Sequence, residues 1–224
     1  MKSKPSLHQL NKIKDAYISR TDEIDMFRQQ VISFFQTSKQ FKSSPLPLIH
    51  SIKSRLKDPD HLIDKVKRKW SQKKIDSTNL FNSINDLGGV RVLHLYTEQA
   101  HAIHNAIKSN VKNGNWIFNE DPIAYSWDPE TTEYFKKIGL RAETRESYYS
   151  SIHYVVKPHT NSDITCEIQV RTLFKEIWGE IDHAINYPDS TSNIACKEQL
   201  KVLAKLASTG TRLADSIFKI ARLG

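Results

Sequence analysis

Two acidic residues at separate points of the chain have the chemistry of a divalent-cation site. Asp86 opens the segment DLGGVR (86–91), directly before an apolar run, and Glu167 lies within a second apolar run. Mg²⁺ usually takes one or two protein carboxylates and completes its shell with phosphate oxygens and water. The two residues are therefore candidate magnesium ligands. Two unrelated surface acids are the alternative, which their separation in the sequence leaves open.

Basic residues surround a helix start that the sequence predicts at Asp58. Asp58 is a typical N-cap residue, and Pro59 suits the first helical turn. Exposed backbone N–H groups at a helix start attract phosphate, and nearby cations would strengthen that attraction. These cations are Arg55, Lys57, Lys65 and Arg68. The alternative is a solvated helix face, which is what most charge runs form.

The clearest strand signal covers residues 163–171, where polar and apolar residues alternate without a break. The polar positions are Asp163, Thr165, Glu167, Gln169 and Arg171. A carboxylate, an amide and a guanidinium on one face of a central strand need partners, because charged groups are rarely buried alone. This face either lines a polar site or belongs to an edge strand and lies in solvent.

Aromatic residues mark the start of another predicted strand, at residues 151–157. Tyr148 and Tyr149 precede it, and His153 lies within it. An aromatic ring at the mouth of a strand can stack on a nucleobase, which contributes about 1–3 kcal/mol. Aromatic residues in such a run more often belong to the core. His153 taken alone is more often a hydrogen-bonded structural histidine.

Helical periodicity predicts helices at both ends of the chain. Residues 7–38 form two helices, the second starting at Thr21, and the prolines of residues 44–47 end the pattern. A helix follows the 163–171 strand and ends at residues 187–189; its predicted buried stripe is Phe174, Ile177, Trp178, Ile181 and Ile185. A last amphipathic helix covers residues 195–223 and runs through Leu200, Leu203, Leu206, Leu213, Ile217 and Ile220.

The middle of the chain supplies the strands. Residues 90–96 form a third strand candidate beside the two already described. Residues 120–145 are polar and irregular, which predicts a long loop with a short helix near residues 133–138. Helices outside and strands between them predict an α+β domain.

Composition restricts the class of protein. The 224 residues suffice for one sizeable core. The formal net charge of +8 favours polyanionic ligands without choosing among nucleotides, nucleic acid and acidic membrane surfaces. No apolar run approaches the ~20 residues of a membrane span. The N-terminus does not look like a signal peptide, and the two cysteines have no metal-ligand spacing. These features predict a cytoplasmic protein with reduced thiols and no membrane contact.

Four blocks in this order resemble the synthetase domain of the RelA/SpoT-type alarmone synthetases, the GTP pyrophosphokinases. They are RLKDPDHLIDKVKRK (55–69), DLGGVR (86–91), YYSSIHYVV (148–156) and EIQVRTLFKEIWGEIDHAINY (167–187). The resemblance implies a mixed β-sheet flanked by helices, similar to the nucleotidyltransferases. We expect one domain over residues 1–224, with N-terminal helices (1–50), a catalytic core (51–190) and a C-terminal helix (191–224).

The resemblance also implies residue roles. Arg55 and Arg91 would sandwich the adenine of ATP, a cation–π arrangement. The first block would bind ATP through Lys57, His61, Lys65 and Arg68. Asp86 and Glu167 would hold Mg²⁺, and Glu167 would also accept the proton of the attacking 3′-hydroxyl. Arg91 belongs with these two acids in the catalytic set. The acceptor side would comprise Tyr149, which stacks on the base, and Ser151, His153, Gln169, Arg171 and Glu176.

The chain departs from the family pattern at three positions. His61 stands where serine is common, and Tyr148 replaces the glycine usual before the stacking tyrosine. Glu176 occupies a position where relatives often carry an amide or a histidine near the acceptor base. A carboxylate there could accept the N1 and N2 hydrogens of guanine. The departures concern the acceptor half more than the ATP half.

Three functions follow from the resemblance and stay open at this point. The first is synthesis of guanosine tetra- or pentaphosphate from ATP and GDP or GTP. The second is a toxin that transfers pyrophosphate to the 3′ end of tRNA, which the lysine-rich first seventy residues would suit. The third is an inactive nucleotide-binding module. A homo-oligomer fits some members of the family, and control would fall to expression, a ligand or an inhibiting antitoxin protein.

Overall fold

The computed structural model describes residues 4–42, 46–187 and 190–223. Its helices are α1 (Leu7–Ile18), α2 (Thr21–Thr37), α3 (Pro59–Lys69), α4 (Leu80–Ser83), α5 (Gln99–Lys112), α6 (Pro129–Lys137), α7 (Leu173–Asn186) and α8 (Ile194–Leu223), and a 3₁₀ turn covers Lys39–Phe41. Its strands are β1 (Ser51–Leu56), β2 (Gly88–His94), β3 (Ile117–Ser126), β4 (Arg141–Thr144), β5 (Ser151–Lys157) and β6 (Cys166–Thr172).

The six strands form one mixed sheet in the order β1-β2-β6-β5-β3-β4. β2 and β6 are parallel neighbours at its centre, while β1 pairs with β2 and β5 pairs with β6 in antiparallel register. The N-terminal helices and α5 pack on one face through a single apolar core. This mixed sheet flanked by helices confirms the predicted α+β fold.

Most elements read from strong patterns are confirmed. Two N-terminal helices are present, and the second starts at Thr21 as predicted. The 151–157 strand has the predicted bounds, and β6 begins three residues inside the predicted 163–171 range. Asp58 caps α3, since its carboxylate accepts the backbone N–H groups of Asp60 and His61 at 2.9 and 3.0 Å. Of the two predicted breaks, residues 43–45 and 188–189 lie outside the described part of the chain.

The predicted long loop over residues 120–145 is wrong. It contains most of β3, all of α6 and β4, and α6 begins at Pro129 rather than near residue 133. Pro122 and two acidic residues hide the strand pattern of β3, whose pairing with β5 is interrupted by two register shifts. β1 also went unpredicted, because its lysine and arginine are typical of an edge strand rather than of a buried one.

The predicted buried stripe of α7 is also wrong, and the predicted apolar residues of α8 are divided between buried and exposed positions. Of the five predicted stripe positions of α7 only Trp178 is buried, whereas Phe174, Ile177, Ile181 and Ile185 are exposed. In α8 Leu200 is buried and Leu203 is partly buried, whereas the other four apolar residues named from the sequence are exposed: Leu206, Leu213, Ile217 and Ile220. The periodicity of apolar residues predicted both helices correctly, but most of these residues do not face the core. None of the helices formed by the described residues is long and apolar enough to cross a membrane.

Two adjacent glycines at the start of β2 have different surroundings. A Cβ at Gly88 would meet Cγ2 of Ile24 at 3.0 Å, because α2 lies directly over this point. A Cβ at Gly89 would find no atom nearer than the carbonyl oxygen of Arg55, at 4.0 Å. Gly88 therefore allows helix–sheet packing, and Gly89 leaves open space on the other face.

We expect Gly88→Val to lower the free energy of unfolding by about 1–3 kcal/mol, because the added methyl groups overpack the contact with α2. Gly89→Ala is the matched control and should leave stability close to that of the wild type. Urea denaturation of both variants measures the difference. Equal stability of Gly88→Val and the wild type would contradict this account of the packing.

Candidate active site

One face of the sheet presents two rows of functional side chains. Residues paired across neighbouring strands point to the same face, so the register aligns the side chains. The first row is Lys53, Arg91, Gln169 and His153, and the second is Arg55, Gly89 and Glu167. The polar face predicted for residues 163–171 therefore belongs to the centre of the sheet and lines a site.

A cleft of about 610 Å³ lies over these rows. Its floor includes Arg55, Asp86, Arg91 and Glu167, and Tyr149 lines it from the loop before β5. One wall is α7, which contributes Trp178, Gly179, Glu180, Asp182, His183 and Asn186. Asp86 and Glu167 thus line the same cleft, although 80 residues of sequence lie between them.

Two lysine ammonium groups flank the carboxylate of Asp86. Lys57 Nζ lies 2.9 Å from Oδ2 and Lys65 Nζ lies 2.7 Å from Oδ1. Burial alone would raise the pKa of Asp86, but the charges of Lys65 and Lys57 outweigh it and bring the pKa to about 2. Asp86 is therefore an anion at neutral pH, held at the start of β2.

A hydrogen-bonded chain holds the carboxylate of Glu167. His153 Nδ1 lies 3.0 Å from Oε1, and Gln169 Nε2 donates to Oε2 at 2.8 Å. The Tyr149 hydroxyl is 2.7 Å from His153 Nε2. If the tyrosine donates there, the neutral histidine carries its proton on Nδ1 and donates to Glu167. Burial raises the pKa of Glu167, but the hydrogen bonds from His153 and Gln169 act in the opposite direction, and the pKa lies below its ordinary value.

A buried carboxylate organises the cations at the base of α7. Glu176 Oε1 lies 2.7 Å from Arg91 Nη1 and 2.9 Å from Lys53 Nζ, and Oε2 lies 2.9 Å from Arg171 Nε. Glu180 adds a second contact to Arg91 at 2.6 Å. Burial works against ionisation of Glu176, yet these cations keep its pKa below the ordinary range. Only 2% of Glu176 is exposed, so its role is to hold the arginines.

A smaller cavity of about 350 Å³ continues the cleft beyond Tyr149. It is lined by Tyr125, Arg145, Ser147, Tyr149, His153, Trp178 and Asp182. The guanidinium of Arg145 lies 4.0 Å from the centre of the Tyr125 ring, a cation–π contact. Among the residues that line this cavity, Arg145 is the only lysine or arginine, and Asp182 borders both cavities.

The structure brings together most of the predicted site residues. Arg55, Asp86, Arg91, Tyr149, Glu167, Gln169 and Arg171 line the cleft. Lys57 and Lys65 contact Asp86, and His153 contacts Glu167. Arg68 and His61 lie on the exposed face of α3, where His61 packs against Tyr187.

Two predicted acceptor residues do not line the cleft. Ser151 is buried, with its hydroxyl 3.3 Å from the carbonyl oxygen of Val170, and Glu176 lies beneath the arginines. The sequence argument missed Lys53, Arg145, Glu180 and Asp182. The basic character of residues 51–56 could have indicated Lys53, but no local signal indicated the other three.

The donor set around Asp86 and Glu167 fits a hard divalent cation. Both groups are carboxylates of one cleft, and Asp86 raises the pKa of Glu167 through its charge. Oδ1 of Asp86 is buried and has no well-aligned hydrogen-bond donor among the described residues. These residues include no cluster of three or more acidic, histidine or cysteine ligands. Two carboxylates match Mg²⁺, which takes its other ligands from phosphate and water.

Comparison with known proteins identifies the family. The sequence profile of the region found in RelA/SpoT proteins matches residues 54–192, more than half of the chain. The chain belongs to the RelA/SpoT family. The GTP pyrophosphokinase YwaC of Bacillus subtilis (strain 168) is 24% identical to it over 167 residues, which cover 72% of this chain and 69% of YwaC. Family membership makes the protein a pyrophosphotransferase.

Solved structures share the RelA/SpoT fold of this chain. A GTP pyrophosphokinase family protein from Streptococcus pneumoniae matches with a TM-score of 0.63 and 20% identity, over 95% of this chain and 94% of that one. Small alarmone synthetase 1 from Bacillus subtilis bound to AMPCPP matches with a TM-score of 0.62 and 16% identity, over 93% of this chain and 95% of that one. The same protein bound to its product pppGpp matches with a TM-score of 0.64 and 17% identity, over 89% of this chain and 92% of that one.

The low pKa of Asp86 predicts a pH-dependent contribution to stability. A pKa that folding lowers from 3.8 to about 2 stabilises the protein above pH ~4, and this contribution disappears as the pH falls toward 2. We expect Asp86→Asn to be less stable than the wild type at neutral pH by about 2 kcal/mol. The difference should shrink steadily between pH ~4 and ~2 as Asp86 of the wild type becomes neutral.

Urea denaturation of both proteins across this pH range measures the difference. Asp64→Asn is the matched control, since Asp64 is an exposed acid of α3 that pairs with Lys67. A gap between wild type and Asp86→Asn that stayed constant from neutral pH to the acid limit would refute the ion-pair explanation.

Proposed function

We propose that this chain transfers the β,γ-pyrophosphate of ATP to the ribose 3′-hydroxyl of GDP or GTP, making (p)ppGpp and releasing AMP. The observation that carries the proposal is the meeting of Asp86 and Glu167 in one cleft, with Lys57 and Lys65 beside Asp86. Phosphoryl-type transfer needs alignment and charge neutralisation more than covalent chemistry from the protein. The names of relatives that act on GTP or bind pppGpp support the same choice.

The ATP side of the cleft lies at β1, β2 and α3. Arg55 and Arg91 belong to neighbouring rows of the sheet face, and Gly89 leaves the space next to Arg55 open. A flat adenine ring between two guanidinium groups would gain cation–π attraction on both faces. Lys57 and Lys65 would then bind phosphate oxygens, with Arg68 and His61 further along the exposed face of α3.

Asp86 and Glu167 would hold Mg²⁺, which when bound supplies Lewis-acid neutralisation of the phosphate oxygens. Glu167 is an anion at neutral pH and can accept the proton of the 3′-hydroxyl as its oxygen attacks the β-phosphorus. The bond between that phosphorus and the bridging oxygen breaks, and AMP leaves with the electron pair. His153 and Gln169 hold the Glu167 carboxylate in place for this transfer.

Tyr149 is the proposed platform for the acceptor base. Its ring borders both cavities, and its hydroxyl is hydrogen-bonded to His153, so base stacking and proton transfer would share one support. Arg171 lies 5.7 Å from the ring centre on the inner side. Asp182, rather than the buried Glu176, is the carboxylate available to a base at this position.

One observation favours tRNA as a second candidate acceptor. A guanosine di- or triphosphate carries several charges on its 5′ side, but the cavity beyond Tyr149 contains Arg145 as its only lysine or arginine. The 3′ end of an RNA would bring one phosphodiester there, and the net charge of +8 would attract the rest of the molecule. If the chain is such a toxin, we expect an antitoxin protein that inhibits it. The third candidate, an inactive nucleotide-binding module, predicts no transfer at all.

Labelled ATP distinguishes the acceptors. With γ-labelled ATP and Mg²⁺, we expect the label to appear in GDP or GTP as a pyrophosphorylated nucleotide and not in bulk tRNA. Label in tRNA alone would establish the second function, and its rate should then fall steeply with salt. If the protein binds ATP but transfers the label to neither acceptor, the inactive nucleotide-binding module is the remaining function.

Glu167→Gln tests the proton acceptor. The amide keeps the size of the side chain but loses basicity, so we expect transfer to fall by at least about 100-fold while ATP binding stays within a few-fold. Glu143→Gln on β4 is the control, because that acid pairs with Arg141 away from the cleft. Near-normal turnover of Glu167→Gln would show that another group takes the proton.

A further inference from the structure

One buried carboxylate contacts an arginine on each side of the cleft. Glu176 Oε1 lies 2.7 Å from Arg91 Nη1, and its Oε2 lies 2.9 Å from Arg171 Nε. Lys53 Nζ, 2.9 Å from Oε1, is a third cationic partner. These contacts connect α7 to β1, β2 and β6, which are neighbouring strands under the cleft.

The order of the elements explains why Glu176 reaches Arg171. Thr172 caps α7 directly after β6, and its hydroxyl accepts the backbone N–H of Lys175. Glu176 therefore lies one turn into the helix, and helical side chains tilt toward the helix N-terminus. Its carboxylate thus returns toward Arg171, the last residue of β6 before the cap.

Arg91 is the partner of Glu176 on the donor side. It lines the cleft, and in the proposed function its guanidinium stacks on the adenine of ATP. Its Nη1 contacts two carboxylates, Glu176 at 2.7 Å and Glu180 at 2.6 Å. The Glu180 side chain is 53% exposed and that of Glu176 only 3%, so water competes for Arg91 at Glu180 but hardly at Glu176. Glu176 is therefore the firmer support of this guanidinium.

Arg171 is the partner of Glu176 on the acceptor side. Its guanidinium carbon lies 5.7 Å from the centre of the Tyr149 ring, the proposed platform for the acceptor base. Its Nη1 lies beside Gly179, where an added Cβ would be 2.8 Å away. The contact of Arg171 Nε with Glu176 is an ion pair without the alignment of a hydrogen bond. Arg171 is thus enclosed on several sides, and any shift of it would move the support behind Tyr149.

Stability alone does not account for a buried ion network of this kind. Removing a carboxylate and its cations from water costs free energy that their attraction only about balances, and apolar side chains of similar volume are often as stable. What the charges add is geometry, because the two oxygens of one carboxylate hold two guanidinium groups at a set separation.

We propose that Glu176 is a positioning residue for both substrates: it orients Arg91 against the donor base and, through Arg171, supports the platform of the acceptor base. This inference rests on the proposed function, and it gives Glu176 a role that needs no contact with either nucleotide. Substitution of Glu176 should weaken the binding of donor and acceptor together. Substitution of a residue that contacts Arg91 but not Arg171 should weaken the binding of the donor alone.

Isothermal titration calorimetry tests the proposal on the full chain, with Mg²⁺ and the ATP analogue AMPCPP in one titration and GDP in another. We expect Glu176→Gln to raise both Kd values by about 10-fold, because a neutral amide leaves the buried arginines without their counter-charge. Glu180→Gln is the matched control, the same change one turn further along α7, and Glu180 forms no ion pair with Arg171 among the described residues. It should raise the Kd of AMPCPP by about 3-fold and leave that of GDP within about 2-fold.

Two results would overturn the proposal. One is a loss of affinity for only one nucleotide, or for neither, in Glu176→Gln. The other is an equal loss for both nucleotides in Glu180→Gln, which would reflect the charge of α7 in general. If circular dichroism shows that Glu176→Gln is unfolded, Glu176→Asp replaces it with the same expected pattern, because it keeps the charge but is too short to reach both arginines. A wild type that binds neither nucleotide would instead refute the proposed function on which the inference rests.

Discussion

The ion pairs of Asp86 with Lys57 and Lys65 are the interaction on which the rest of the site depends. A carboxylate this far removed from solvent stays ionised only because two ammonium groups lie within 3 Å of it. The same lysines are the proposed phosphate ligands, and the same carboxylate is a proposed metal ligand. In the free protein these groups neutralise one another. A magnesium nucleotide would exchange their partners, taking the carboxylate to the metal and the lysines to phosphate, without leaving a buried charge unpaired.

The N-terminal helices hold these groups in place. The hydroxyl of the buried Tyr17 donates to the carbonyl oxygen of Lys57 at 2.5 Å, and the backbone N–H of Lys57 donates to Leu87 at 2.8 Å. Lys57 is thus fixed between α1 and the residue that follows Asp86. Arg20, at the junction of α1 and α2, binds Asp163 ahead of β6 at 2.8 Å. The helices outside the family-matched region therefore position both segments that carry the acids.

The fold could be predicted where local pattern and burial agree. The alternation around Glu167 gave β6 and its polar face, and the cap at Asp58 gave α3. β3 could not be read in the same way, because a strand with Pro122 and two acids gains its order from pairing with β5 rather than from its own propensity. The sides of α7 and α8 were misjudged for a related reason. Periodicity reports that a helix has an apolar stripe but not whether that stripe faces its own domain.

Some residues of the site could be identified from the sequence, whereas others could be identified only from the folded structure. Block matches found Asp86, Glu167 and Tyr149, since each stands in a recognisable local segment. Arg145 and Asp182 became visible only when the sheet and α7 brought them beside Tyr149. Glu176 is the instructive case: its position in the block suggested contact with a base, but its surroundings contain Arg91, Arg171 and Lys53. The charge of this carboxylate is already balanced by three cations within 3 Å, so burial and charge, rather than sequence position, decide its role.

Helix α7 connects these observations, because its sides meet three different environments. Glu176 and Trp178 point inward, where they hold the arginines and α8. Gly179, Asp182 and His183 line the cleft, and Gly179 has no side chain because Arg171 Nη1 would lie 2.8 Å from its Cβ. Ile177, Ile181 and Ile185 face outward. The same helix therefore supports the arginine network, forms a wall of the cleft and presents an exposed apolar stripe.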